Sequence, residues 1–215
     1  MTELGAGVIG LGFGRAHMRA YAAHPDTQLR AVCDRDPDRV TQATYEVAVP
    51  WTTDDYRALL DRDDVDVVSI ALPDLLHSAV AVEAMRRGKH VLCEKPMTTT
   101  VDEASDIERA VAETGRKFMV GQVCRFAPGF ARAKEVVDSG EVGRLFFVES
   151  EYAHNYSHAA GHGGWRKAPD RPRDAFLGGG CHAVDLLRWV AGPMTASCSR
   201  SSGKISPIFT SMAIS

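Results

Sequence analysis

The chain has 215 residues, of which 45% are hydrophobic and 25% are charged, and its formal net charge at pH 7 is -3. This composition is typical of a globular protein with enough residues for one full domain and part of another. The near-neutral charge excludes a strongly basic surface for nucleic acid, and no apolar run approaches the ~18 residues of a membrane span. We therefore expect small-molecule partners, with no nucleic acid and no membrane.

The N-terminus and the cysteines both predict an intracellular protein. The segment MTELGAGVIG indicates a strand and glycines almost at once, without the regions of a signal peptide, so we expect a cytoplasmic location. The five cysteines are scattered and include no CxxC pair. This pattern favours reduced, mostly buried thiols over disulfides or zinc ligands.

Apolar runs of strand length alternate with helical periodicity over residues 1–121. The alternation predicts an α/β dinucleotide-binding domain, a Rossmann-type doubly wound parallel sheet with helices on both faces. In chain order the predicted elements are the strand AGVIGLG, a helix over 15–23, the strand LRAVCD, a helix over 37–45, the strand VDVVSIALP, a helix over 75–87, the strand HVLCE, a helix over 101–114 and the strand KFMVGQV.

Residues 122–215 have a different pattern and form the second predicted domain. A helix is predicted in PGFARAKEVVDSG, with Pro128 suited to its first turn and Gly140 to its C-terminal cap. The segment from Arg144 to His154 has a strand pattern, and a long loop without periodicity follows it. A short helix, CHAVDLLRWVAG, ends at Gly192. We expect these elements to form an incomplete α+β domain.

The segment VIGLGFGRAH carries three glycines at alternate positions between a predicted strand and a predicted helix. A dinucleotide pyrophosphate needs such a turn for close approach, and the unpaired N–H groups of the helix then face the phosphates. The strict GxGxxG spacing would place a glycine where this chain has Arg15. The next strand ends in Asp34, whose carboxylate can accept from both ribose hydroxyls. The predicted coenzyme contacts of this region are Gly10, Gly12, Phe13, Gly14, Asp34 and Arg35.

Arg35 leaves the choice of coenzyme open. The Asp34 carboxylate repels the 2′-phosphate of NADP, whereas the Arg35 guanidinium could reach it. We favour NAD, because the acid occupies the strand-end position itself, and keep NADP as the alternative.

A family resemblance rests on three segments. The combination of LPDLLH, GKHVLCEKP and GGGCHAVDLLRW resembles the signature of the Gfo/Idh/MocA family of NAD(P)-dependent oxidoreductases, which act mainly on sugars, inositols and related polyols. The likeness runs from Val8 to about Val190. It implies a two-domain architecture and hydride transfer between a substrate CH–OH group and the coenzyme.

Glu94, Lys95 and Pro96 lie at the end of a predicted parallel strand, where such a sheet opens into its ligand-binding crevice. The resemblance implies that Lys95 assists proton transfer at the reacting hydroxyl and that the Lys95–Pro96 bond can be cis. Adjacent residues on extended chain point to opposite sides. Glu94 can therefore hold structure or coenzyme while Lys95 faces coenzyme and substrate. The alternative is a solvated Lys95 paired with Glu94.

The loop LPDLLH follows the third main strand. The resemblance implies that residues of this loop, namely Leu72, Pro73 and His77, pack against the coenzyme. His77 could equally be a helix residue whose ring is satisfied by the backbone, and both interpretations stand.

His182 is the second candidate for proton transfer. The resemblance implies an aspartate four residues earlier, where this chain has Gly178. Either His182 and Lys95 share the proton transfer, or another residue supplies the carboxylate that is missing at position 178. Asp185 lies on the same helix face as His182 and could orient it, with a purely structural bond as the alternative.

The segment HNYSHAAGHGGWR places His154, His158 and His162 at four-residue intervals, a spacing that suits metal ligands on one face of a helix. Three glycines in this segment oppose a continuous helix, so we predict no metal site. A substrate-facing loop fits better, because aromatic faces and donors suit a polyhydroxy ligand. The predicted substrate contacts are Arg125, Tyr152, His154, Trp165, Arg166 and His182.

These patterns predict an NAD(P)-dependent dehydrogenase of a sugar or an inositol-like polyol. The alternatives are an NAD-retaining hydrolase or lyase of glycosides, and a regulatory protein that binds nucleotide and sugar without turnover. The glycine at position 178 favours the interpretation as a regulatory protein, whereas the presence of Lys95 argues against it. The resemblance also implies a larger second domain that makes the dimer contact, so we expect a homo-oligomer. We further expect a truncated second domain, and a 215-residue chain that binds NAD with little polyol oxidation.

Overall fold

The computed structural model describes residues 3–153 and 176–192. These residues belong to two compact units. The first contains the chain up to Gln122 together with residues 176–181, and the second contains Val123–Ala153 and the chain from His182. The predicted division into domains 1–121 and 122–215 stays a prediction.

The first unit is built on a six-stranded sheet whose paired strands are all parallel. The strand order is β3-β2-β1-β4-β5-β6, so the order reverses between β1 and β4, which is where sheets of this class bind ligands. The predicted Rossmann-type sheet is confirmed. The strands are β1 (Leu4–Ile9), β2 (Thr27–Cys33), β3 (Thr52–Thr53), β4 (Val67–Ile70), β5 (His90–Cys93) and β6 (Phe118–Val120).

The helices of the first unit lie between these strands, and four of the five are predicted by the sequence, whereas the short helix after β3 is not. Local signals set their ends: a capping box between Thr100 and Glu103 starts α5, and Gly115, in the left-handed conformation, ends it. Across the described ranges, no helix is both long enough and apolar enough to cross a membrane. The helices are α1 (Gly14–Ala23), α2 (Pro37–Glu46), α3 (Tyr56–Leu60), α4 (His77–Arg86) and α5 (Val101–Thr114).

The core of the first unit has one cluster on each face of the sheet. Val8 and Val32 belong to the cluster that includes residues of α1 and α2, whereas Ile9 and Cys33 belong to the cluster that includes residues of α3, α4 and α5. Neighbouring strand residues thus point to opposite faces, and both faces are covered. Burial raises the pKa of the Cys33 thiol to about 12, as do the nearby carboxylates. This thiol is a core residue rather than a reactive one.

The second unit contains the predicted helix α6 (Pro128–Asp138), with Pro128 in its first turn and Gly140 at φ 77° just beyond its end. The helix α7 (Cys181–Ala191) also matches its prediction. The predicted strand from Arg144 to His154 is wrong for its described part, because residues 144–153 contain no strand. A strand needs a neighbour for its N–H and C=O groups, and the described residues of this unit contain no other strand to pair with it.

Gly5 in β1 lies where the backbone packs closely against the segment that precedes β4. A Cβ at Gly5 would lie 1.9 Å from the carbonyl oxygen of Asp64, which is a backbone atom and cannot rotate away. We expect Gly5→Ala to lower the free energy of unfolding by about 2–3 kcal/mol, as overpacking does, in urea denaturation. Gly129→Ala is the control, because no atom of the described residues lies within 4 Å of a Cβ there and alanine is the better helix former. Equal stability of Gly5→Ala and the wild type would contradict this packing.

Candidate active site

The turn between β1 and α1 brings the backbone very close to its neighbours. Gly10 has φ 91°, and a Cβ on it would lie 2.5 Å from the carbonyl oxygen of Ala71, so only glycine fits. A Cβ on Gly14 would lie 2.9 Å from Cγ1 of Val8. Gly14 therefore allows the close helix–strand packing that the third glycine provides in GxGxxG. The shorter glycine spacing keeps the geometry of the turn.

The start of α1 is open toward a ligand. The side chain of its N-cap residue, Phe13, forms no capping hydrogen bond within the described chain, and the first N–H groups of a helix have no acceptor within the helix. Gly12 is exposed with no atom closer than 4.0 Å to a Cβ built on it, and Phe13 is 61% exposed. Such helix starts bind phosphate groups, so the turn fits a dinucleotide pyrophosphate.

Asp34 follows β2 and joins that strand to the glycine turn. Its Oδ2 accepts the Leu11 N–H at 2.7 Å, and its Oδ1 accepts the Asp36 N–H at 2.9 Å. A carboxylate has about four acceptor positions, so ribose hydroxyls can still donate to Asp34. The predicted cation Arg35 is exposed and forms no hydrogen bond or ion pair within the described chain. Arg39, which the sequence analysis missed, lies beside Asp34 instead, with Nη1 3.7 Å from Oδ2.

The end of β5 places Glu94 and Lys95 with different partners. Lys95 Nζ donates to the carbonyl oxygen of Gly178 at 3.2 Å. Glu94 Oε1 lies 2.9 Å from His17 Nε2, and Glu94 Oε2 accepts the backbone N–H of Lys95 at 3.2 Å. The described chain contains no ion pair between the two side chains, so the alternative in which Glu94 neutralises Lys95 is not supported. The bond between Lys95 and Pro96 is cis.

His17 is a site residue that the sequence analysis missed. Its Nδ1 lies 3.1 Å from Ser69 Oγ, and the Tyr21 hydroxyl lies 3.0 Å from the same Oγ. These contacts link α1 to β4 and, through Glu94, to the end of β5. Ser69 was the available signal, because a hydroxyl between apolar residues of a buried strand needs a polar partner.

The pKa of the Glu94 carboxyl is raised by one effect and lowered by several others. Burial raises its pKa, but the hydrogen bond and charge of His17 lower it, as do the backbone N–H and the charge of Lys95. The net pKa lies below the ordinary value of a glutamate. Glu94 is therefore a carboxylate at neutral pH, held in place by His17.

The loop after β4 contains the predicted coenzyme contacts Leu72, Pro73 and His77. Leu72 and Pro73 are partly exposed, but His77 is fully buried. Its Nδ1 lies 2.8 Å from the Pro96 carbonyl oxygen and its Nε2 lies 2.9 Å from the Leu72 carbonyl oxygen. His77 thus links this loop to the chain that follows Lys95, as in the backbone-satisfied interpretation. The coenzyme contacts of all three residues stay predictions.

Gln122 is a further residue that the sequence analysis did not select. It follows β6 at the same carboxyl edge, one residue after Gly121, whose N–H donates to the Cys93 carbonyl oxygen at 2.7 Å. Its Oε1 is buried and has no hydrogen-bond partner within the described chain. A buried acceptor without a donor is costly. A ligand that supplies a hydroxyl or amide donor would satisfy it, so this edge also fits a bound coenzyme or substrate.

The second unit contains three of the predicted substrate residues. His182 is 3% exposed, and its ring centroid lies 4.9 Å from that of Tyr152. The Arg125 guanidinium donates to both carboxylate oxygens of Asp185, at 2.8 and 2.5 Å. Asp185 is therefore bound to Arg125, which supports the structural-bond alternative over an orienting role toward His182. The substrate contacts of Arg125, Tyr152 and His182 stay predictions.

Part of the predicted substrate loop lies outside the described residues. This holds for His154, Trp165 and Arg166, and for the histidine series that His154 begins. Within the described ranges, no cluster of three or more histidine, cysteine, aspartate or glutamate residues could hold a metal ion.

The parallel sheet, the glycine turn and the acid after β2 define a dinucleotide-binding domain of the Rossmann class. Residues 4–122 match the model of an oxidoreductase family with an NAD-binding Rossmann fold, and residues 130–208 match the GFO/IDH/MocA C-terminal domain. The chain belongs to the Gfo/Idh/MocA family, as the sequence resemblance predicts, and its first unit is an NAD-binding domain.

Several characterised proteins are similar to this chain. Inositol 2-dehydrogenase 2 of Saccharopolyspora erythraea is 34% identical over 211 residues, which cover 94% of this chain and 59% of the relative. Levoglucosan dehydrogenase of Pseudarthrobacter phenanthrenivorans is 30% identical over 216 residues, covering 91% and 53%. The structure of scyllo-inositol dehydrogenase from Lactobacillus casei with bound NAD(H) and scyllo-inositol has a TM-score of 0.78 at 26% identity, covering 89% and 57%. The chain thus spans little more than half of each relative's length.

Glu94→Gln tests the contribution of the Glu94 carboxylate, whose Oε1 lies 2.9 Å from His17 Nε2. Because the folded-state pKa of Glu94 is lowered, the carboxylate contributes stability above its ordinary pKa, and this contribution is lost as the pH falls through the folded-state value. We expect Glu94→Gln to lower the free energy of unfolding at pH 7 by about 1–3 kcal/mol. The difference from the wild type should shrink below about pH 4.3, as measured by urea denaturation across pH.

The control for this experiment is Glu108→Gln on the exposed side of α5, since the Glu108 side chain forms no hydrogen bond or ion pair within the described chain. This variant should match the wild type at every pH. A difference for Glu94→Gln that stays constant with pH would show that the Glu94 charge does not stabilise the fold.

Proposed function

We propose that the protein is an NAD-dependent dehydrogenase that oxidises a CH–OH group of a sugar or an inositol-like polyol. The observation that carries the proposal is Lys95 at the carboxyl edge of β5, with its side chain separate from the Glu94 carboxylate, in the same unit as an open glycine turn. Similarity to dehydrogenases of inositol and levoglucosan supports this substrate class.

The first unit provides the contacts that a dinucleotide needs. The backbone of Gly12 and Phe13 and the start of α1 would hold the pyrophosphate, and Asp34 would accept from the adenosine ribose. When bound, the oxidised coenzyme would accept a hydride from the substrate carbon. Gln122 would donate to, or accept from, a ligand at the carboxyl edge near Lys95.

Lys95 is assigned the proton transfer. An amine nitrogen has two N–H donors and one lone pair, and one N–H of Lys95 Nζ can donate to the Gly178 carbonyl oxygen, 3.2 Å away. In this form Lys95 would accept the proton of a substrate hydroxyl as a general base while the hydride leaves. His17 holds the Glu94 carboxylate, and the side chains of Glu94 and Lys95 form no ion pair within the described chain. His182 is proposed as a second proton-transfer residue on the family resemblance.

The substrate is best identified with a panel of inositols and aldoses, offered with NAD and with NADP and read by the absorbance of the reduced coenzyme. The panel must include epimers, because a difference of one hydroxyl or methylene between two substrates can change the free energy of discrimination by only about 1–3 kcal/mol. Because little polyol oxidation is expected of the 215-residue chain, the panel is read over long incubations at high protein concentration. No reduction with any member under these conditions would contradict the proposal. The cytoplasmic location and the homo-oligomer stay predictions.

Lys95→Met removes the amine and keeps an unbranched side chain. We expect turnover to fall at least about a hundredfold, as loss of a general base does, with NAD affinity measured by calorimetry changing less than about threefold. Lys95→Arg should be equally impaired, because a guanidinium keeps the charge and the donor to Gly178 but does not lose its proton. Lys117→Met, at the opposite end of the sheet before β6, is the control. Near-normal turnover of Lys95→Met or Lys95→Arg would rule out the general-base role.

Asp34→Ala tests the ribose contact. NAD affinity should fall about tenfold or more, while NADP should gain relative to NAD because the carboxylate no longer repels the 2′-phosphate. Asp34 also holds the Leu11 N–H, so Asp34→Asn is needed as well, since it keeps an oxygen for that bond and removes the charge. Titration calorimetry with both coenzymes measures the effect. If neither variant changes the preference, Asp34 does not contact the ribose.

A further inference from the structure

A chain of polar side chains runs from α1 through β4 to the carboxyl end of β5. The Tyr21 hydroxyl and His17 Nδ1 lie 3.0 and 3.1 Å from Ser69 Oγ. His17 Nε2 lies 2.9 Å from Glu94 Oε1, and the other oxygen of this carboxylate accepts the backbone N–H of Lys95 at 3.2 Å. The chain thus ends at the residue to which we assign the proton transfer.

The direction of the hydrogen bond between His17 and Glu94 follows from the chemistry of the two groups. The Glu94 carboxylate has no proton to donate, so the Nε2–H of His17 is the donor. In a neutral imidazole, Nδ1 then accepts from the Ser69 hydroxyl, which in turn accepts from the Tyr21 hydroxyl. Burial raises the pKa of the Tyr21 hydroxyl, so this donor keeps its proton at neutral pH. One Glu94 oxygen is therefore committed to His17.

Ser69 gives this chain a rigid support. Its side chain is fully buried in β4, and β4 pairs with β1 on one side and with β5 on the other. The His17 side chain is 15% exposed and the Glu94 side chain 17%, so water has little access to the hydrogen bond between them. Polar networks that are buried and satisfied fix their members in one arrangement. The sheet thus holds His17, and His17 holds Glu94.

The Glu94 carboxylate is a potential competitor for the Lys95 side chain. The charge of Lys95 is one of the effects that lower the pKa of Glu94, so the two groups already interact through space. A carboxylate in direct contact with an ammonium group stabilises the protonated form, which opposes the acceptance of a proton. In the structure, Lys95 Nζ donates to the Gly178 carbonyl oxygen instead, and each Glu94 oxygen has another donor.

We propose that His17 is a positioning residue that keeps the Glu94 carboxylate from pairing with the Lys95 amine, so that Lys95 can act as a base. The inference rests on the proposed function, because it takes Lys95 to be the general base. Without His17, one oxygen of this partly buried carboxylate lacks its donor, and a buried acceptor without a donor is costly. Contact with Lys95 Nζ then replaces the missing hydrogen bond.

The test measures the reactivity of the Lys95 amine in the full chain, without coenzyme or substrate. Only an unprotonated amine reacts with acetic anhydride, so the acetylation rate of Lys95 at about pH 8 reports its fraction of free amine. Peptide mass spectrometry gives this rate relative to that of the exposed Lys117. His17→Phe keeps an aromatic ring, removes both nitrogens and should slow the relative rate about threefold or more. His17→Gln should restore most of it, because an amide N–H can donate to Glu94.

A second background separates this role from a merely structural one. Glu94→Gln removes the competing charge, so adding His17→Phe to Glu94→Gln should leave the Lys95 rate of the single variant unchanged. His24→Phe is the matched control, because His24 caps the end of the same helix and its Nδ1 accepts the Asp26 N–H at 3.2 Å. This variant should acetylate as the wild type does, and circular dichroism of each variant checks that the fold is kept.

Three results would overturn the inference. They are a wild-type rate in His17→Phe, the same slowing by His17→Phe in the Glu94→Gln background, and a rate in His17→Gln as low as that in His17→Phe. None of these measurements needs turnover. Failure of the proposed function has a different signature, in which no substrate of the panel reduces the coenzyme while acetylation responds to His17 as expected.

Discussion

The fold depends on how closely the backbone of β1 and its turn approach their neighbours. A Cβ would lie 1.9 Å from a carbonyl oxygen at Gly5, 2.5 Å from another at Gly10 and 2.9 Å from a side chain at Gly14. These approaches allow β1 to pair with both β2 and β4 and allow α1 to start directly after the turn. The carboxyl ends of β1, β2, β4 and β5 then meet at one edge, where Asp34, Glu94 and Lys95 follow.

At that edge, hydrogen bonds to backbone N–H and C=O groups position the charged side chains that a ligand would also contact. Asp34 accepts hydrogen bonds from two backbone N–H groups without any ligand. It therefore stabilises the turn and is also a candidate contact for the coenzyme ribose. Glu94 is held by His17, and Lys95 donates to a carbonyl oxygen. The two adjacent charged side chains therefore have different hydrogen-bond partners.

The elements that follow from local signals were predictable. Helix α5 begins and ends as predicted, at Val101 and Thr114, because the Thr100 cap and Gly115 are local features of the chain. Strand β3 has two residues and α3 has five, so neither has a detectable period. The segment at 144–153 has a strand-like sequence, yet it forms no strand, because strand formation depends on a partner segment elsewhere in the chain.

The sequence by itself determined the alternation of strands and helices, the glycine turn, the acid after β2 and the strand end at Lys95, because each is read from residues adjacent along the chain. Only the tertiary structure showed that His17 contacts Glu94, 77 residues away, and that Arg39 rather than Arg35 pairs with Asp34. These partners depend on which helix face meets which strand end. Side-chain spacing along one element does not encode that, since the packing of distant segments decides it.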